Sequence, residues 1–262
     1  MIPQSAIIEW RNFVPWTTFE QVEQDLIISR ALIDIFNNEF LSRSLAFRGG
    51  TALHKLFILP QPRYSEDLDL VQIRPEPIKE TVQQLQDALS YLGSSSVEQK
   101  KGNTTLKFRF ESEIAPVQPL RLRIETNCRE HFTILGWEKK EFNIDSQWFS
   151  STSQLTTYKI EELLGTKLRA LYQRRKGRDL YDIHKALISM PLDIAQILKC
   201  YNDYMAFSVE KPPTQKQFLL NLAEKMKDTD FLGDTVALLR PSEKYDPVEA
   251  YESVILNLIS KI

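Results

Sequence analysis

Between Thr17 and Phe40 the chain reads TTFEQVEQDLIISRALIDIFNNEF, and Val22, Leu26, Ile27, Leu32, Ile33 and Phe36 recur at the spacing of one helix face. Thr17 and Thr18 are capping candidates for its start, and Asn37 and Asn38 mark its end. The stretch LAFRGGTALHKLF then passes from a short apolar run through Gly49 and Gly50 into helical spacing, which predicts a strand, a glycine turn and a helix N-terminus. In RYSEDLDL, residues 63–70, Leu68 and Leu70 point to one side of an extended chain while Asp67 and Asp69 point to the other. TTLKFRFE (104–111) and LRLRIET (120–126) alternate in the same way and predict two strands, antiparallel across the connection from Pro116 to Pro119. From Thr156 onward the pattern is helical, broken by loops at Gly177, at Pro191, at KPPTQ (211–215) and at RPSEKYDP (240–247). No internal repeat interrupts this order.

The pattern predicts an α+β protein: an N-terminal helical arm over 1–40, an α+β lobe with a mixed sheet over 41–150, and a C-terminal helical lobe over 151–262. Composition adds exclusions. With 42% hydrophobic and 26% charged residues the chain is an ordinary globular protein, and a net charge of −2 gives no global attraction to a polyanion, so any such site must be a local patch. Two cysteines, Cys128 and Cys200, and three histidines in no ligand spacing argue against zinc and against a disulfide framework. The opening MIPQSAIIEW lacks a basic leader segment and no run of about 18 apolar residues follows, so the sequence predicts a cytoplasmic protein with no membrane span.

Three places carry candidate chemistry. Asp67 and Asp69 share one strand face, and two adjacent carboxylates repel unless a cation sits between them. A hard divalent ion such as Mg²⁺, held by carboxylates and substrate phosphates, answers that repulsion; a solvated acidic edge strand is the plain alternative. Gly49 and Gly50 at a helix N-terminus let backbone N–H groups approach an anion, with the Thr51 hydroxyl as a further donor, or they simply make a tight turn. From Lys167 to Arg178 six of twelve residues are Lys or Arg, either a solvated helix face or a polyanion patch made by Arg169, Arg174, Arg175, Lys176 and Arg178. Lys167 follows Leu163 by one turn on the flank of the apolar stripe of Leu163, Leu164, Leu168 and Leu171, from where it can reach toward a cleft. Asp179 is placed to cap the helix opening after Gly177, with Asp182 three residues later.

GGT followed by DLD resembles the glycine and double-aspartate motif of the nucleotidyltransferase superfamily, of which DNA polymerase beta is a member. More closely, FRGGTALHKLF and RYSEDLDLV together with KLRALYQRRKGRDLYDI are similar to the AbiEii/AbiGii toxin family of nucleotidyltransferases, and weaker likeness runs from about Val22 to about Leu239. Sixteen residues separate Gly50 from Asp67, a longer spacing than in many superfamily members but similar to the AbiEii pattern.

The resemblance implies an NTP-dependent nucleotidyltransferase toxin of a bacterial toxin–antitoxin or abortive-infection system. In such enzymes Asp67 and Asp69 bind Mg²⁺, and Glu125, on a neighbouring strand, joins them as the third metal-site carboxylate and helps activate the attacking hydroxyl. Glu125 lies two residues from Arg123, so it shares a face with that cation; a paired surface glutamate is its plain reading. Gly49, Gly50, Thr51 and Ser65 fall on the nucleotide side, Lys167 is implied as a contact to the triphosphate, and Asp179 as an active-site residue whose loss removes activity. NTP, an RNA acceptor, most directly the tRNA 3′ end, and a cognate antitoxin are the implied partners. Transfer to a protein hydroxyl, or a degenerate nucleotide-binding module without catalysis, are the alternatives. Ser65 would face the metal side; a phosphate there would add close to two negative charges and block the nucleotide.

Overall fold

A computed structural model describes residues 2–262. The chain divides into two compact units: one runs up to Thr133 and resumes over Trp137–Tyr158, and the other comprises Ile134–Gly136 and Lys159–Ile262.

The first unit is built on one seven-stranded mixed sheet. It opens with helices α1 (Gln4–Trp10), α2 (Phe19–Asn37) and α3 (Glu39–Ser44), followed by strand β1 (Leu45–Arg48), helix α4 (Gly49–Leu56), strand β2 (Asp67–Gln72) and helix α5 (Ile78–Ala88). Strands β3 (Ser95–Lys100), β4 (Asn103–Glu111), β5 (Pro119–Asn127), β6 (Trp137–Asp145) and β7 (Ser150–Tyr158) complete it, in the spatial order β3-β4-β5-β2-β1-β7-β6. β4 and β5 form the expected antiparallel pair, closing at Glu111 opposite Pro119. β2 runs parallel to β5 and antiparallel to β1.

α2 starts where the sequence pattern places it, with the Thr18 side chain accepting from the Gln21 N–H, and ends at Asn37. It is buried around most of its circumference, polar Glu23, Gln24, Asp25 and Ser29 included, and packs against β5, β6 and β7. Its buried polar side chains are bonded: Asp25 accepts from Trp10 Nε1 and from the Lys55 ammonium at 3.0 Å, which ties α4 to α2. Leu45, Ala46 and Phe47 of β1 and Leu68, Leu70 and Val71 of β2 are fully buried, so the middle of the sheet is hydrophobic core. The β6–β7 hairpin departs from the sequence pattern, which turns helical at Thr156. β7 continues to Tyr158 and the helix begins only at Ile160. β6 is an edge strand, WEKKEFNID, in which only Ile144 is fully buried, so it carries almost no hydrophobic signal.

The second unit contains α6 (Ile160–Gln173), α7 (Gly177–Ser189), α8 (Ile194–Ser208), α9 (Gln215–Lys225), α10 (Thr229–Gly233) and α11 (Pro247–Asn257). α6 and α8 pack backbone-close: a Cβ on Gly165 would lie 2.6 Å from Cys200 Cβ and 2.9 Å from the Tyr201 nitrogen. Glu162, in the first turn of α6, accepts from the N–H groups of Ile134 and Leu135 at 2.9 Å and from the Tyr204 hydroxyl, which is why residues 134–136 belong to this unit. At the other end of α6 the buried Lys225 ammonium donates to the carbonyls of Leu171 and Tyr172, capping orphan acceptors of the last turn.

Candidate functional site

The β2–β5 register puts Asp67 opposite Arg123 and Asp69 opposite Glu125. All four side chains emerge on one face, because the residues between them, Leu68 and Ile124, are buried. The Arg123 guanidinium bridges the two strands, donating to Asp67 Oδ2 at 3.1 Å and pairing with Glu125 Oε2. Glu125 Oε1 also accepts from Asn103 Nδ2 at 2.8 Å. Side-chain exposure of 34% for Arg123, 36% for Asp67 and 26% for Glu125 makes this a solvent-accessible charged face. Burial works to lower the Arg123 pKa, but Glu125, Asp67 and, more weakly, Asp69 outweigh it and hold the guanidinium further into its charged range.

The glycine turn is pressed against the second aspartate. Gly49 has φ +79°, and a Cβ there would stand 2.1 Å from Asp69 Oδ2, so backbone conformation and space both select glycine. Gly50 follows within the first turn of α4. Thr51 is buried, and its hydroxyl donates to the Asp67 carbonyl at 2.6 Å and lies 2.6 Å from Ser65 Oγ. Ser65 is thus tied to the first turn of α4. Arg48, which precedes the turn, pairs with the buried Glu130 at 2.7 Å.

The structure therefore brings Gly49, Gly50, Thr51, Ser65, Asp67, Asp69 and Glu125 onto adjoining elements of one unit. Among the described residues no group of three His, Cys, Asp or Glu side chains stands ready to hold a metal ion. Arg123 instead pairs with both Asp67 and Glu125. The donors themselves fit a hard divalent cation: they are carboxylate oxygens, partly exposed, on a rigid strand pair, and such an ion needs only one or two of them when phosphates complete its shell.

Lys167, Asp179 and Asp182 form a second cluster, inside the helical unit. Lys167 Nζ lies 3.2 Å from Asp179 Oδ1 and pairs with Asp182, while Arg174 grips Asp179 with Nε at 2.6 Å and Nη2 at 2.8 Å. Both aspartates are fully buried and Lys167 is 6% exposed, so Lys167 points into this cluster rather than outward. The capping reading of Asp179 is corrected: Lys176 is the N-cap of α7, and Asp179 is its third residue with its side chain drawn to the two cations. Burial pushes the Asp179 carboxyl up, but Lys167 and Arg174 together outweigh it and hold it below the usual range. The rest of the basic run is also matched by acids, Arg175 by Asp228 at 2.9 Å and both Lys176 and Arg178 by Asp234, while Arg169 donates to Ser208 Oγ.

Sequence reasoning missed Asn103, Arg48 and Glu130. Asn103 opens a strand with no charge or motif to mark it, and Arg48 meets Glu130 over a separation of 82 residues.

A glycine turn pressed on a D-x-D strand, with a third carboxylate on the adjacent parallel strand, defines the nucleotidyltransferase class. The chain matches the family described as nucleotidyl transferase AbiEii toxin, of type IV toxin–antitoxin systems, over residues 30–253, and it belongs to that family. The match reaches beyond Leu239 at the C-terminal end. Among solved structures the chain is similar to MenT4, a nucleotidyltransferase toxin from Mycobacterium tuberculosis, with 16% identity and a TM-score of 0.68 over 100% of this chain and 91% of that one. It is also similar to a candidate nucleotidyltransferase from H. pylori, with 18% identity and a TM-score of 0.57 over 94% of this chain and 96% of that one. These likenesses concern the fold. No curated protein matches the sequence. The chain is accordingly an NTP-dependent nucleotidyltransferase of the toxin type, and its family implies a cognate antitoxin.

Proposed function

We propose that this protein transfers a nucleotide from NTP to RNA, most directly to the 3′ end of tRNA, with Mg²⁺ bound by Asp67, Asp69 and Glu125, and that it acts in the cytoplasm. The observation that carries the reading is the single exposed face holding these three carboxylates beside the glycine turn. Among the described residues no helix is long and apolar enough to cross a membrane.

Backbone N–H groups at Gly49 and Gly50 and the first turn of α4 bind phosphate oxygens of the NTP. The divalent ions, when bound, neutralise charge on the entering oxygen and on the departing pyrophosphate. Glu125 takes the proton of the acceptor hydroxyl on its carboxylate as that oxygen attacks the α-phosphorus and the bond to pyrophosphate breaks. For this Arg123 must release Glu125 and Asp67, and its guanidinium is then free to face phosphate. Loss of Asp179 removes transfer and loss of Lys167, the expected triphosphate contact, weakens NTP use; their burial in one charge cluster offers a route for both through the integrity of the helical unit.

The test is incubation with each α-labelled NTP, total RNA and cell protein, with Mg²⁺ or with EDTA. Label in the tRNA fraction that disappears with EDTA is expected. Label confined to protein would replace the RNA acceptor with a protein hydroxyl, and no transfer at all would leave a nucleotide-binding module.

A further inference from the structure

The face that carries the carboxylates continues along the β4–β5 ladder into two successive pairs of like charge. Lys107 stands opposite Arg123, and Arg109 opposite Arg121. Like charges directly opposite one another destabilise a strand pair, so each pair needs compensation. Lys107 has it from Glu98 at 2.9 Å, and Arg123 from Asp67 and Glu125. Arg109 and Arg121 do not: both are exposed, and among the described residues neither side chain makes an ion pair or hydrogen bond. They border a groove of about 440 Å³ whose lining includes Tyr64, Phe110, Pro119 and a single carboxylate, Glu66. Its floor is built rather than fluid. Gln24, 3% exposed, donates Nε2 to the Arg121 carbonyl at 2.8 Å and to the Glu66 carbonyl at 3.4 Å, joining two walls of the groove, and its Oε1 is buried without a partner.

We propose that Arg109, Arg121 and this groove bind the phosphate backbone of a single-stranded RNA acceptor next to its reacting end. The inference rests on the function proposed above and names where its acceptor is held. Strand order gives the direction. The glycine turn assigned to the NTP phosphates follows β1, on one side of β2, whereas β5 and β4 lie on the other side. Arg121 is four residues from Glu125 on the same strand, roughly 13 Å along it, so RNA held by Arg121 leads along β5 toward Glu125. A groove of this volume takes about one nucleotide, with partly exposed Phe110 and Pro119 offering surface to a base and the two guanidinium groups meeting phosphates.

The experiment compares the full chain with its Arg109→Gln/Arg121→Gln and Arg109→Lys/Arg121→Lys variants. Binding is measured by anisotropy of a fluorescent 12-nucleotide single-stranded RNA with a free 3′-hydroxyl across a salt titration, alongside transfer of labelled nucleotide to total RNA. The Gln pair is expected to bind at least tenfold more weakly at low salt, with its salt slope shallower by about 1.4, two contacts at about 0.7 each. The KM for NTP should be unchanged and the melting temperature equal or higher, because a like-charge pair has been removed; the Lys pair should bind as the wild type does. Equal RNA affinity and slope in the Gln pair overturn the proposal, as does a raised KM for NTP with unchanged RNA binding, which would give the groove to the nucleotide. If the wild-type protein labels only protein, the parent reading fails and the groove assignment with it; if the wild type labels RNA and the Gln pair does so equally well, the groove assignment alone fails.

Discussion

On the sheet face one guanidinium, Arg123, sits between two carboxylates, Asp67 and Glu125, while in the helical unit one carboxylate, Asp179, sits between two cations, Lys167 and Arg174. The pairings are mirror images in charge and differ in burial. Asp179 and Asp182 are fully buried, whereas the sheet carboxylates keep about a quarter to a third of their side-chain surface in solvent. A buried pair cannot exchange partners without leaving a charge in low dielectric, so it holds the partners it has. A half-exposed pair can let go at small cost, because water and salt replace the partner, and so it can give its carboxylates to a metal or a proton. Burial, rather than the identity of the charges, separates the two clusters.

The strongest way to break this comparison is to remove charge from each side in turn. Asp67→Asn and Asp69→Asn should keep the fold, since the change is nearly isosteric and the Asp67–Arg123 pair it weakens is partly exposed and worth little. Transfer should nevertheless fall by orders of magnitude, each tenfold being about 1.4 kcal/mol of barrier. Either variant retaining more than about a tenth of the wild-type rate would remove that residue from the site.

Asp179→Asn should do the reverse and act on stability first, costing about 3–5 kcal/mol in urea unfolding, because Lys167 and Arg174 lose a shared buried partner. Its pH signature has a definite sign. The folded pKa lies below the ordinary value, so this stabilisation is fully present above the unfolded pKa of about 3.9 and is lost as pH falls through the folded one. Wild-type stability should therefore drop below about pH 4 while the variant changes less; parallel pH profiles would contradict the assignment.

Gly49→Ala sharpens the sheet side. A left-handed φ and a Cβ 2.1 Å from Asp69 Oδ2 predict a cost of about 1–3 kcal/mol, with Asp69 pushed off its position. Transfer should fall further than the stability loss explains, as measured by activity well below the melting transition.

The smallest effect is expected from Arg175→Ala/Lys176→Ala. The side chains are 60% and 47% exposed and pair with Asp228 and Asp234 at the surface, so thermal stability should move by less than about 1 kcal/mol. Because acids already neutralise them, the salt dependence of RNA binding should also stay unchanged; a flattened slope would return the acceptor to the basic run.

Much of this molecule was legible in local pattern. The Thr18 cap, the alternation that turns Asp67 and Asp69 away from Leu68, the Gly49–Gly50 turn opening a helix and the β4–β5 hairpin are each set within a few residues, where backbone sterics and hydrophobic period decide the outcome. That Glu125 shares a face with Arg123 followed from a spacing of two. The β6–β7 hairpin was not legible, because an edge strand needs little apolar character, and the period that reads as helix from Thr156 belongs to a strand as far as Tyr158. The sequence by itself determined which residues could carry charge on which face of each element. Tertiary structure alone decided their neighbours: β2 lies beside β5 in a parallel register, which brings Arg123 to Asp67 across 56 residues, and α7 packs on α6, which buries Asp179 against Lys167. The physical reason is that an ion pair's strength and purpose depend on separation and on the dielectric around it, and both are properties of packing between distant segments.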